Sequence, residues 1–476
     1  MKMKFVFIGL ILALGLLVRL WGIGFGLPAL FHFDEQLVGY TAFYAASSSL
    51  RPVHFLHPMF YPYILMLLWG AYFLEGLIFG FWNSTQQFFI EYLKDPTVFI
   101  LIGRLFSVFL GVLSVYLVYR VARKFFSERV GLVSSLFLSL AFLHVQEGHY
   151  IKEEVFMGLL GLILYYFSVK LVKSTKVTHY IFCGAILGLL LATKYNFFFF
   201  LPMVLVALYF RDKKLKRFPD KKLLVLLFLI PIIFLILNPY VLIDSRRALE
   251  EIVGQASLST TQWVSSVGLP IWLYYLTNYL PNGLGWPLFV TFAIGLFHIF
   301  LNKLNSHKHV LLTITPLSFF LTIAVFGGQN ASRYIVPIIG FMCLIAAVFL
   351  DNLVKNNRIL VALSIIIILL SFLTVVKFDY YLSRPDTRNI SKACIEEHIT
   401  SETKLVSEGA IRTEYGSFYG PSLNMNQGSI ERGQEEAADL GLPATYLKAL
   451  GQAQKGKVGY DLLGAIRLDK KYDIFQ

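Results

Sequence analysis

Residues 98–119 read VFILIGRLFSVFLGVLSVYLVY, and residues 120–129 read RVARKFFSER. The first stretch is apolar apart from Arg104 and is long enough for a helix that crosses a bilayer, which takes about 20 residues. The second stretch is rich in arginine and lysine. Basic clusters beside apolar runs are typical of the cytoplasmic ends of membrane helices. Together the two stretches predict a spanning helix that ends in the cytoplasm.

The composition extends this interpretation to the whole chain. Of the 476 residues, 57% are hydrophobic and 15% are charged, and the formal net charge is +13. Soluble domains carry about 25% charged residues. Because the lysines and arginines lie in short clusters between apolar runs, the positive charge favours the positive-inside pattern over nucleic-acid binding. We expect an all-α polytopic membrane protein whose partners include membrane lipids and no nucleic acid.

About eleven apolar runs qualify as transmembrane helices. Their bounds are roughly 5–21, 98–119, 131–147, 154–171, 178–192, 196–210, 223–241, 286–302, 309–326, 334–350 and 358–376. If every basic cluster between them is cytoplasmic, the N-terminus is cytoplasmic and the C-terminus is extracytoplasmic. The sequence thus predicts a multi-pass protein of the plasma (cytoplasmic) membrane.

Residues 59–80 are also apolar enough to cross, but a crossing there would put residues 120–129 on the outer face. We therefore expect residues 59–80 to form an interfacial or re-entrant helix within a long first outer loop, residues 22–97. The domain prediction is a transmembrane domain at 1–376 and a small soluble outer domain at 377–476, either α/β or irregular.

Ionisable residues near membrane depth are costly, so each is a functional hypothesis. In the predicted topology they gather at the outer ends of helices. Carboxylates there suit general bases or ligands of a divalent metal such as Mg²⁺ or Mn²⁺, and cations suit a phosphate group. The predicted catalytic residues are Asp34, Glu35, Glu153 and Glu154, with Asp34 and Glu154 as candidate metal ligands. The predicted substrate-binding residues are Lys194, Tyr195, Arg333, Tyr334, His57 and Arg104.

Each candidate has a structural alternative. Asp34 and Glu35 fit a solvated loop pair or the acidic start of a helix, and the pair at 153–154 fits a helix cap. Lys194 fits a side chain that reaches up to the interface, and Arg333 fits a helix anchor. The sequence by itself leaves these alternatives open, as it leaves open which carboxylate of the 153–154 pair faces the site.

Six motifs occur in a fixed order. They are RLWGIGFGLPALFHFDEQ (19–36), FLHPMFYPYI (55–64), GRLFSVFLGVLSVYLVYRVARKFF (103–126), HVQEGHYIKEEVFMG (144–158), LATKYN (191–196) and SRYIVP (332–337). In this order they resemble the GT-C superfamily of membrane glycosyltransferases, in particular its protein O-mannosyltransferase and aminoarabinose transferase-like branch. Met59 stands where a second proline is usual, and glutamate replaces the usual aspartate of the second acidic motif. The resemblance covers about the first 385 residues.

The resemblance implies an inverting transfer of a sugar from a polyprenyl-phosphate-linked donor, on the outer face, to a lipid, glycan or protein acceptor. The alternative is a transporter or flippase of a lipid-linked molecule, and a third hypothesis is a scaffold that displays the tail. Transporters commonly contain inverted repeats and midplane sites. No repeat is visible in this sequence, and its ionisable groups lie at one predicted face.

Overall fold

The computed structural model describes residues 2–32, 34–35, 38–39, 41–42, 46, 49–174, 176–215, 221–261, 268–325, 331–407, 423, 431 and 459–464. These residues are mostly helical, as predicted. The first half contains α1 (Lys2–Leu20), α2 (Phe60–Phe79), α3 (Thr85–Lys94), α4 (Thr97–Phe125), α5 (Glu128–Leu140), α6 (Phe142–Gln146), α7 (Glu154–Leu171), α8 (Val177–Thr193), α9 (Leu201–Leu215) and α10 (Lys222–Leu237).

The second half contains α11 (Tyr240–Ile243), α12 (Ser245–Thr261), α13 (Ile271–Tyr274), α14 (Leu280–Leu284), α15 (Trp286–Asn302), α16 (His307–Val325), α17 (Val336–Leu353), α18 (Asn357–Leu382) and α19 (Thr387–His398). Short 3-10 turns occupy Glu147–His149, Phe197–Phe200 and Ser332–Ile335, and a π-helical turn occupies Tyr275–Tyr279. Strands β1 (Lys404–Ser407) and β2 (Asp461–Gly464) pair in parallel.

The chain forms two compact units. The first comprises residues 1–20, 50–63 and 106–379, and the second comprises residues 21–49, 64–105 and 380–476. At the centre of the first unit lies α17, which is buried on almost every side because it is apolar all round. Small residues let its neighbours approach closely: a Cβ at Gly158 of α7 would lie 3.4 Å from Pro337 Cα of α17.

Helices α8 and α10 make a still closer contact within the first unit. Gly184 and Gly188, four residues apart, both face α10, and a Cβ at Gly184 would lie 2.7 Å from the backbone oxygen of Leu226. Only glycine permits backbones to approach to this distance. This contact fixes the end of α8, from which Lys194 leaves the helix.

The helices match the predicted runs closely, but the number of spans is not confirmed. By length and composition, five helices of the described residues can cross a membrane, or up to seven if each of two bent pairs is one span. The bends lie after Leu140 and at Gly285, and helices such as Val177–Thr193 are short for a full crossing. The chain is a multi-pass membrane protein, and the figure of about eleven spans stays a prediction.

Two further predictions remain open. Helix α2 is among the five candidate spans by length and composition, so the interfacial placement of residues 59–80 stays a prediction. In the tail, Leu423 and Tyr460 pack with Ile395 of α19 and Leu405 of β1. Most of residues 408–458 lie outside the described residues, and a separate tail domain also stays a prediction.

Candidate functional site

Lys194 joins the two carboxylates of the acidic turn before α7. Its Nζ donates to Glu153 Oε1 at 2.8 Å and to Glu154 Oε1 at 2.7 Å. The Lys194 side chain is 11% exposed, that of Glu153 is 13% exposed and that of Glu154 is 1% exposed. Lys194 is therefore a buried partner in two ion pairs rather than a side chain that extends to the water interface.

Two more cations lie near the carboxylate of Glu154. Arg333 Nε lies 3.7 Å from Glu154 Oε1, and Lys152 Nζ lies 4.0 Å from it. The ring of Tyr334 lies beneath both Lys194 Nζ, at 5.0 Å from the ring centroid, and the Arg333 guanidinium, at 5.3 Å. Arg333 is the most accessible of the three cations, with 34% of its side chain exposed.

Three helix ends bring these side chains together. Glu153 and Glu154 begin α7, where the helix dipole favours negative charge. Lys194 follows α8 in an extended conformation (φ −158°, ψ 135°), which turns its side chain away from the helix. Arg333 lies in the 3-10 turn before α17. The sequence predicted that these residues meet at one end of the helices, and within the first unit they do.

The charges reinforce one another across this cluster. Burial alone would lower the pKa of Lys194, but the carboxylates of Glu153 and Glu154 raise it well above its ordinary value. Burial would raise the pKa of Glu153, but Lys194, Lys152 and His57 lower it to about 2. Both partners of the pair are therefore charged at neutral pH.

The cluster has a net positive charge. Its three cations, Lys152, Lys194 and Arg333, outnumber its two carboxylates. Glu154 Oε2 is buried and has no hydrogen-bond partner among the described residues. A site with an excess positive charge, an accessible guanidinium group and an aromatic ring beneath it suits an anionic group such as phosphate.

Two other predicted binding residues lie in the same unit. Tyr195 is half-buried and packs against Phe234 with ring centroids 6.4 Å apart. His57 is exposed, and its ring lies 6.0 Å from that of His54. The positive charge of His57 also contributes to the lowered pKa of Glu153.

Glu35 and Arg104 belong to the second unit, where they form a bidentate pair. Arg104 Nε donates to Glu35 Oε1 at 2.9 Å and Nη2 donates to Oε2 at 2.7 Å. Arg104 Nη1 also donates to the backbone oxygens of Ile23 and Phe25. Both charged side chains are fully buried. This geometry favours a structural role, so their contact with substrate stays a prediction. Asp34, beside this pair, is half-buried.

Sequence reasoning missed Tyr275, whose hydroxyl donates to the backbone oxygen of Ala331 at 2.8 Å and so holds the turn that carries Arg333. It lies in the π-helical turn, and such turns are frequent at functional sites. Neither the spacing nor the composition of residues 271–284 gave a signal for it.

A second buried polar group in the first unit was also missed. Asp379 of α18 is fully buried, with Oδ1 3.4 Å from His149 Nε2. Nearby, Arg19 donates to the backbone oxygens of Gly15 and Ser139 and contacts His144 Nδ1 at 2.8 Å. These residues come from helices far apart in sequence, so no local pattern could have grouped them.

Comparison with known proteins places this geometry in context. Residues 99–237 match the family model of dolichyl-phosphate-mannose-protein mannosyltransferases, a range that includes Glu153, Glu154 and Lys194. A search of curated proteins finds no match. The structure of ArnT from Cupriavidus metallidurans bound to undecaprenyl phosphate is similar with a TM-score of 0.59 and 15% identity, over 98% of this chain and 91% of that one. The chain has the GT-C fold. The predicted resemblance to this superfamily of membrane glycosyltransferases is confirmed at the level of the fold.

A second GT-C structure supports the same fold. The oligosaccharyltransferase AglB from Archaeoglobus fulgidus, in complex with an inhibitory peptide and a dolichol-phosphate, has a TM-score of 0.55 and 10% identity. The alignment covers 92% of this chain and 68% of AglB. Another structure of the archaeal oligosaccharyltransferase contains Zn and sulfate, with a TM-score of 0.52 and 11% identity over 96% of this chain and 68% of that one.

The residues around Glu154 are poor ligands for the predicted divalent metal. The described residues contain no group of three or more His, Cys, Asp or Glu side chains able to hold a metal ion. Lys194 already occupies Glu154 Oε1, with Arg333 and Lys152 nearby, and these positive charges oppose a second cation. The residues present at Glu154 do not fit a metal.

Proposed function

We propose that this GT-C membrane protein is an inverting glycosyltransferase that moves a sugar from a polyprenyl-phosphate-linked donor to a lipid, glycan or protein acceptor at the outer membrane face. The single observation that carries the proposal is the net positive cluster of Lys152, Lys194 and Arg333 around Glu153 and Glu154. ArnT bound to undecaprenyl phosphate and AglB in complex with a dolichol-phosphate support a lipid phosphate as the group it receives.

Arg333 and Lys194 have different parts in donor binding. Arg333, a third of whose side chain is exposed, offers a planar fork to phosphate oxygens, whereas Lys194 supplies a fixed point charge. Glu153 and Glu154 hold Lys194 in place and keep it charged. Tyr334 lies beneath Lys194 and Arg333, and Tyr195 and His57 complete the proposed donor site. The two carboxylates therefore assist by positioning the cations.

The transfer itself is a single displacement. Asp34 removes the proton from an acceptor hydroxyl or amine as the acceptor atom bonds to the anomeric carbon of the sugar. The bond between that carbon and the phosphate oxygen breaks, and the electron pair leaves with the polyprenyl phosphate. Since phosphate is a good leaving group, cations suffice to stabilise its charge and no strong general acid is needed. No step uses a metal.

The proposal is tested with purified protein and a panel of polyprenyl-phosphate sugars, with mass spectrometry to read both sugar release and the labelled acceptor. We expect turnover of one or a few sugars and its loss in Asp34→Asn by about 10²–10⁴-fold, the usual contribution of a general base. The Asp34→Asn protein should still bind donor. Movement of intact donor across the membrane without cleavage, or near-normal turnover by Asp34→Asn, would contradict the proposal.

A further inference from the structure

Residues 51–59, which contain the FLHPM motif, form neither helix nor strand before α2 begins at Phe60. Bonds to residues 238–251 hold this loop at both ends. Met59 N donates to Asn238 Oδ1 at 2.6 Å, and Arg51 forms an exposed ion pair with Asp244 at 3.1 Å. Exposed pairs of this kind contribute little stability, so the loop depends on its other contacts.

Several of those contacts come from α12. Glu251 Oε2 accepts the backbone N–H of Phe55 at 2.5 Å, while Oε1 accepts Arg247 Nε at 2.6 Å. Arg247 Nη2 in turn donates to the backbone oxygen of Val53, and its guanidinium lies 5.7 Å from the ring centroid of Phe55. One carboxylate thereby satisfies a backbone donor directly and a backbone acceptor through its arginine partner.

The loop held in this way presents His57. It lies between Phe55, bound to Glu251, and Met59, bound to Asn238, and it is itself exposed. His57 is one of the cations that lower the pKa of Glu153 against the effect of burial. The pKa of Tyr195, which follows Lys194, is raised by burial and also by the negative charge of Glu251. Three residues after His57, the ring of Phe60 lies 5.9 Å from that of Phe156 in the first turn of α7. The loop therefore ends beside the turn that carries Glu153 and Glu154.

We propose that Glu251 is a positioning residue for the donor site: it fixes the backbone of residues 53–55 and thereby holds His57 against the cluster of Glu153, Lys194 and Arg333. The role rests on the proposed function, because it assigns His57 to the donor phosphate. Nearby His54 contributes no charge at neutral pH, since burial, with the positive charge of His57, lowers its pKa to about 4.

The test compares three single variants of α12 in lipid nanodiscs, together with His57→Ala and its double variant with Glu251→Ala. Glu251→Ala removes the acceptor for Phe55 N–H, whereas Glu251→Gln keeps an acceptor oxygen there. Glu250→Ala is the matched control, because Glu250 is the adjacent carboxylate of α12 and pairs with Arg246 at the exposed surface. Amide hydrogen exchange is measured over residues 53–59, and affinity is measured for undecaprenyl phosphate.

We expect Glu251→Ala to speed exchange of the Phe55 amide at least tenfold and to weaken undecaprenyl phosphate binding about tenfold, as loss of one hydrogen bond to a charged group predicts. Glu251→Gln should recover most of both effects, and Glu250→Ala should match the wild type. In a His57→Ala background, Glu251→Ala should weaken binding no further, because the two residues act in series.

Three results would overturn the inference: wild-type exchange in Glu251→Ala, faster exchange with unchanged affinity, or additive losses in the double variant. Failure of the proposed function has a different signature, since the wild-type protein itself would then not bind undecaprenyl phosphate. The exchange measurement needs no ligand, so it reports on the hydrogen bond between Phe55 N–H and Glu251 in either case.

Discussion

Lys194 is the residue on which the acidic turn depends. Its ammonium group is the partner of both Glu153 and Glu154, and the three side chains are largely withdrawn from water. Removing one partner of a buried ion pair leaves an uncompensated charge, which costs far more than the pair itself contributes. The stability of this site is therefore coupled to its charge.

We expect Lys194→Ala to lower the free energy of unfolding by about 3 kcal/mol, the usual cost of breaking a buried pair. Glu153→Gln should recover part of that loss, because a neutral side chain needs no cation, whereas Glu154 retains Arg333 and Lys152 as neighbours. Denaturation in detergent measures both effects, with Lys170→Ala at the other end of α7 as the control. Equal losses with and without Glu153→Gln would contradict the coupling.

The pH dependence of stability follows from Glu153. Its pKa falls from an ordinary 4.5 to about 2 in the folded protein. A carboxyl group with a lowered folded pKa contributes stability that is fully present above the unfolded pKa and is lost as pH falls through the folded one. The wild-type midpoint should therefore drop more steeply between pH 4.5 and 2 than that of Glu153→Gln. Parallel curves for the two proteins in thermal melts would show that the ion pair contributes nothing.

At the scale of single residues, the sequence predicted which side chains form the site and that they lie at one end of the helices. It did not predict which side chains pair with each other. That Glu153, Glu154, Lys194 and Arg333 lie at one end of the helices followed from their positions at the ends of apolar runs. The pairing of Glu35 with Arg104 did not follow, because the two residues are distant in sequence and only the folded chain brings them together. The role of Tyr275 was missed for the same reason.

Helix ends and bends position the site. Between α14 and α15 the chain turns by 119°, at Gly285. Gly285 has φ +85°, a conformation that other residues adopt only with strain, and a Cβ there would lie 3.2 Å from Ser371 Cβ. This turn holds the segment that carries Tyr275, and so it supports the turn with Arg333.

We expect Gly285→Ala to destabilise the protein by about 1–3 kcal/mol, because it adds both backbone strain and a close contact. Gly254→Ala is a matched control: Gly254 lies inside α12, where a Cβ would meet nothing within 4 Å, so the change should stabilise slightly through helix propensity. The free energies of unfolding of both variants give the comparison. Similar values for the two would show that the bend tolerates a side chain.

The placement of α2 is the main topological prediction. Its residues are long and apolar enough to cross, but a crossing would reverse the positive-inside pattern around residues 120–129. In intact cells, an impermeant reagent should label a single cysteine at the exposed position Thr85 and leave one at the exposed position Lys124 unlabelled. If α2 crosses instead, the pattern inverts: Lys124 is labelled from outside and Thr85 is not.

Element boundaries were predictable where an apolar run is flanked by charge. Residues 154–171 and 286–302 were predicted as runs and are the bounds of α7 and α15. The bend after Leu140 was not predicted, since the run 131–147 is continuous in hydropathy. At the break the Ser371 hydroxyl of α18 donates to Leu140 O and accepts from Phe142 N, a tertiary contact that no local pattern shows. Helix α18 also continues past the predicted boundary at residue 376, to Leu382.

For the whole molecule, the fold was predictable because six motifs occur in the order that is typical of the GT-C superfamily. The GT-C fold confirmed by comparison with ArnT and AglB had been indicated by six short motifs, none of them specific alone. The sugar and the acceptor did not follow from the sequence. They depend on the shape of a binding surface, which hydropathy and charge patterns do not encode.

The most direct test of the account is the affinity of Arg333 variants for undecaprenyl phosphate in nanodiscs. Arg333 is the accessible cation of a net positive cluster, and because a third of its side chain is exposed, its 3.7 Å pair with Glu154 contributes little stability. Arg333→Ala should raise the dissociation constant about 10–100-fold with an unchanged melting temperature, as loss of a charged hydrogen bond predicts.

Two comparisons complete the measurement. Arg333→Lys should recover part of the affinity, since lysine keeps the charge but not the planar fork. Arg120→Ala, which removes an exposed arginine that contacts Tyr116, should bind undecaprenyl phosphate as the wild type does. A tenfold or larger loss in Arg333→Ala alone is the predicted result. An unchanged dissociation constant in Arg333→Ala, at normal folding, would contradict the claim that this cluster binds the donor phosphate.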